Sequence, residues 1–69
     1  MTQEEIKEGM LLGHNNLREY YKVLLVDVML DDVKLVVMED MVAHPPKKLI
    51  AHSKEYVADK YHPYNGEDF

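Results

Sequence analysis

Apolar positions concentrate between Tyr20 and Val42, in the run YYKVLLVDVMLDDVKLVVMEDMV. Its β-branched and aromatic residues favour extended backbone, so it predicts two strands of a hairpin. Asp31-Asp32 interrupts the run between Leu30 and Val33. Short acidic side chains bond neighbouring backbone and tolerate positive φ, which suits a two-residue turn, with a longer loop as the alternative because Asp-Asp turns less readily than Asn-Gly or Asp-Gly. That turn would set Leu30 opposite Val33, Val28 opposite Leu35, Val26 opposite Val37 and Leu24 opposite Glu39. Because side chains alternate along a strand, Leu24, Val26, Val28, Leu30, Val33, Leu35 and Val37 would then share one apolar face, the expected core. The opposite face carries Val23, Leu25, Asp27, Met29, Lys34, Val36, Met38 and Asp40. Its plainer reading is partial cover by a terminus or by the far wall of a bent barrel. Its sharper one is a dimer face made by Leu25, Met29, Val36 and Met38, since contiguous exposed apolar area marks interaction. A slip of one residue in register would exchange the two faces.

The flanks predict shorter elements. Thr2 followed three residues later by Glu5 has the pattern of a capping box, and Gly9 ends that turn. Met10-Leu11-Leu12 suits a first strand, and Gly13-His14-Asn15-Asn16 a turn. Beyond Val42, the segment Ala43-His44-Pro45-Pro46-Lys47-Lys48 reads as a loop, because proline cannot donate to a ladder. Leu49-Ile50-Ala51 resumes as a short strand, and Ser53 is placed to cap a helix over 54–61 that His62-Pro63 stops. Tyr64 to Phe69 reads as a polar tail. The sum is a mainly β chain: a small bent-sheet barrel of four to five strands around the 20–42 hairpin, with an α+β hairpin as the alternative.

Length changes the picture by limiting the core. A chain of 69 residues makes one domain, 1–69, near the lower limit for independent folding. Without cysteine it has no disulfide to add stability, which makes self-association attractive and suits a reducing compartment. The acidic start MTQEEIKEG and the lack of a long apolar run fit a cytoplasmic protein with no membrane partner. Thirteen acids against eight bases leave a net charge of −5, which disfavours direct contact with nucleic acid.

Candidate chemistry is sparse. Thr2 and Ser53 are the only aliphatic hydroxyls; His52 adjoins Ser53, yet sequence neighbours seldom form a nucleophile and its base, and a helix cap explains Ser53 better. Glu39 and Asp40 would point to opposite faces of a strand and so not converge as an acid–base pair. His14, His44, His52 and His62 lack the spacing of a metal site, and three isolated glycines make no phosphate cradle. The expectation is no enzyme, no cofactor and no metal.

Two resemblances follow. The order short strand, turn, long hairpin, loop, short strand, helical turn resembles small SH3-like barrels across roughly residues 9 to 61. The compact, acidic, cysteine-free chain resembles small host-takeover proteins of bacteriophages, some of which mimic DNA. That second likeness implies a cytoplasmic inhibitor, in the host if viral, which occupies a basic DNA-binding protein of nucleoid or polymerase type. Alternate residues on a strand lie roughly 6.5–7 Å apart, close to the spacing of phosphates along DNA. The contact residues would be Asp27, Asp31, Asp32, Glu39 and Asp40, backed by the dimer face. The alternative is an SH3-like adaptor binding a peptide in a groove of Tyr20, Tyr21, Tyr61 and Tyr64.

Overall fold

The computed structural model describes residues 1–42 and 48–66, so of the expected loop only Lys48 is described and the last three residues of the tail lie outside. A 3₁₀ turn, Gln3–Glu5, precedes β1 (Leu11–His14), β2 (Tyr20–Leu30), β3 (Val33–Asp40), β4 (Lys48–Ser53), α1 (Lys54–Lys60) and β5 (Tyr61–Pro63). The strands form one antiparallel sheet in the order β4-β3-β2-β1-β5. The mainly β, bent-sheet architecture expected from the sequence is what forms, and β4 and β5 remain as separate edges.

Local chemistry accounts for these elements. Asp31 and Asp32 both adopt positive φ, 48° and 64°, the pairing of a type I′ turn whose twist matches that of a hairpin. Leu30 accordingly pairs with Val33, and Val28 with Leu35. Ser53 caps α1: its Oγ accepts from the Tyr56 N–H at 3.1 Å. At the N-terminus, the Glu5 carboxylate accepts from both the Thr2 N–H and the Thr2 hydroxyl, at 2.9 and 3.0 Å. Gly9, at φ 84°, turns the chain so that its N–H reaches the Val23 carbonyl at 2.8 Å. The strand Tyr61–Pro63 was not expected; it pairs with β1 from His14 to Leu12, and Pro63 is tolerated on an edge.

The hairpin register departs from a simple ladder farther from the turn. Leu25 pairs with Val37 and Val23 with Met38, so β2 carries two extra residues relative to β3. One shift lies between Val28 and Leu25, where Val26 and Asp27 stand against Val36 alone; the other inserts Leu24. Asp27 sits at φ 57°, the left-handed conformation that a bulge residue adopts. Each bulge moves later side chains of β2 to the other face. Val26 thereby turns in to pack on the core, and Leu25 turns out to 50% exposure.

The core occupies the face expected to be free. Val23, Val36 and Met38 are fully buried, together with Ile6, Leu12 and Val57, and Tyr21 and Tyr61 nearly so. The covering elements are the first turn and α1, which bring Ile6 and Val57 onto this side of the sheet. The set expected as core lies mainly on the other side: Leu30 is 59% and Val33 45% exposed, with Val28, Leu35 and Val37 half-buried. The grouping of β3 residues into faces holds, and the identity of the buried face is reversed.

Candidate interaction surface

The uncovered side of the sheet is built by alternation from three strands. Pairing sets Leu25, Val28 and Leu30 of β2 beside Val37, Leu35 and Val33 of β3, and the latter beside Ala51 and Ser53 of β4. Glu39 and Leu49 extend the same face, as does Lys22 across from Glu39. Leu49 is 59% exposed. An antiparallel sheet with one free side ordinarily turns polar residues to water on that side. Here the middle of the free side is aliphatic, with its charges confined to the Lys22–Glu39 end.

The residues singled out from the sequence do not assemble as expected. Val36 and Met38 of the proposed dimer face are wholly buried inside the monomer, because Ile6 and Val57 pack over them. Leu25 is exposed on the open side, and Met29, 57% exposed, pairs with Lys34 near the hairpin tip. The five acids are dispersed as well. Asp31 and Asp32 occupy the tip; Glu39 and Asp40, consecutive on a strand, face opposite sides at its other end. Asp40 Oδ1 accepts from the Val42 N–H at 2.9 Å. Asp27 belongs to the bulge and meets the Lys54 ammonium at 2.9 Å, tying β2 to the first turn of α1. That hydrogen bond to Lys54, and the ammonium's charge, hold its carboxyl below the usual range. No single row of carboxylates results.

The tyrosines divide likewise. Tyr21 and Tyr61 are core residues in edge-to-face contact at 5.5 Å, so a groove of four tyrosines is not formed. Tyr20 stacks on Tyr64 at 4.5 Å, with the rings 9° from parallel. Burial pushes the Tyr61 hydroxyl up to about 12. Burial and a short hydrogen bond to the Glu19 carboxylate push Tyr21 higher still.

Other side chains serve local structure. His62 Nδ1 lies 2.7 Å from Asn15 Oδ1, and the His14 ring nitrogen accepts from the Asn16 N–H at 3.0 Å. The His62 ring occupies the space a side chain at residue 13 would need, since a Cβ on Gly13 would fall 2.9 Å from its Nε2. Among the described residues no cluster of three or more His, Asp or Glu is placed to hold a metal. No helix among them is long and apolar enough to cross a membrane.

Sequence reasoning missed Val33, Leu35, Val37 and Leu49 as surface. No local signal marks them, because the covered face is set by Ile6 and Val57; Asp27, a lone acid inside an apolar strand, marks only the left-handed bulge residue that breaks the alternation of β2 and turns Leu25 out. No protein-family model matches the chain, and neither a curated protein nor a solved structure is significantly similar to it.

Proposed function

We propose that this chain is a non-enzymatic protein-interaction module whose working surface is the open face of its sheet. The observation that carries the reading is the aliphatic centre of that face, Leu25, Val28, Leu30, Val33, Leu35 and Leu49, left uncovered while both helical turns pack on the other side. Exposed contiguous apolar area on a small protein opposes solubility unless a contact covers it. The net charge of −5 offsets that tendency and keeps the chain soluble between encounters. Binding here is driven by burial of aliphatic surface, in contrast to the carboxylate row that DNA mimicry of a basic partner requires.

The test compares capture of proteins by the tethered chain at low and high salt. Capture that persists in high salt, survives Asp31→Asn with Asp32→Asn, and is lost in Leu35→Asp is the expected result. Capture that Leu35→Asp leaves intact removes the sheet face as the working surface. Elution at moderate salt together with loss in the double Asn variant would restore an acidic contact with a basic partner.

A further inference from the structure

We infer that the occupant of the open face is a second copy of this chain, docked face to face as a two-layer β-sandwich. This rests on the interaction reading above and names its partner. Two features of the face select a second copy over a foreign partner.

The first is charge. The chain carries −5 overall, yet on the described part of this face the charged residues are Lys22 and Glu39, paired across β2 and β3. The tip acids Asp31 and Asp32 lie beyond its end, and Asp27 is engaged with Lys54. A strongly basic or acidic partner would find no complement there. A two-fold axis, by contrast, sets the same patch on itself, so one cation and one anion per copy can be exchanged between copies.

The second is size and shape. At about 4.8 Å between strands and about 3.4 Å per residue, β2, β3 and β4 present a footprint of roughly 400 Å² per copy. Two copies bury on the order of 800 Å² before side-chain relief is counted, the size of a weak, transient dimer. Sheets of the same twist stack aligned at about −30° and about 10 Å apart, with side chains from the two inner faces interdigitating. β3, between β2 and β4, offers Val33, Leu35 and Val37 as a ridge between Leu25 and Leu49, which a twin surface can accept.

Sedimentation equilibrium on the full chain tests this over concentrations from about 1 to 200 µM, the range in which an interface of this size dissociates. The expected mass rises from 8.1 kDa towards twice that value, with little change on adding salt. Leu30→Lys, at a position already 59% exposed, is expected to weaken the dimer at least about tenfold while the circular dichroism spectrum stays that of the native chain. Leu35→Asp is expected to remain at 8.1 kDa throughout. A wild-type mass of 8.1 kDa at every concentration overturns the second copy as occupant; if Leu35→Asp still abolishes capture of another protein, the interaction reading stands without it. A dimer that survives both substitutions removes this face from both.

Discussion

Tyr21 and Tyr61 show how single side chains define the covered side of this sheet. Both rings are buried and meet edge to face, and burial disfavours their phenolates. A hydroxyl whose pKa is raised by folding contributes stability that is complete below its unfolded value of about 10. That contribution declines as pH rises from there, and for Tyr61 it is lost by about 12. With two such groups, unfolding free energy is expected to fall by up to about 2.7 kcal/mol per pH unit above pH 10. Tyr61→Phe should roughly halve that slope in urea titrations at pH 10 and 11; an unchanged slope would mean that the ring is not buried in the folded chain.

The decisive element is the bulged strand β2. Two extra residues relative to β3 turn Leu25 to the open side and Val26 towards the core, and together they leave Val23 on the covered side opposite Met38. The left-handed Asp27 is one of the two points where this happens. Asp27→Ala should destabilise the protein by about 1–2 kcal/mol, the cost of a left-handed conformation for a residue with a Cβ and no side-chain oxygen. Asp27→Gly should cost less, because glycine accepts that conformation and only the ion pair with the largely covered Lys54 side chain is lost, as it is in Asp27→Ala. Thermal melts of the two variants decide the point, and equal destabilisation would assign the cost to the ion pair instead. The same residue explains what the sequence could reveal. The turn at Asp31-Asp32, the pairing beside it, the Ser53 cap and the helix that follows are local and were legible from side-chain chemistry. The buried face was not, since it depends on where Ile6 and Val57, 51 positions apart by their numbering, come to rest. Choosing the more aliphatic face as core was reasonable for an isolated hairpin. It failed because the covering elements come from the two ends of the chain.

At the scale of the whole molecule, the described residues form one sheet with a single covered side. Most domains are two packed layers, and here the second layer is two short helical turns on one face. The uncovered aliphatic face is the feature on which the proposed function rests, and self-association would complete the missing layer. The acids, spread over the tip, the bulge and the strand end, serve turn geometry, an ion pair and solubility in this account.

The adjacent residues Leu35 and Val36 point to opposite sides, so substituting each by Asp tests the account most directly. Val36 is fully buried, and an unpaired charge there should exceed the roughly 3–10 kcal/mol of stability expected for a chain of this length. Val36→Asp is expected to be unfolded by circular dichroism at room temperature, while Leu35→Asp retains the native spectrum and a cooperative melt. A folded Val36→Asp beside an unfolded Leu35→Asp would contradict it and return the core to the opposite face.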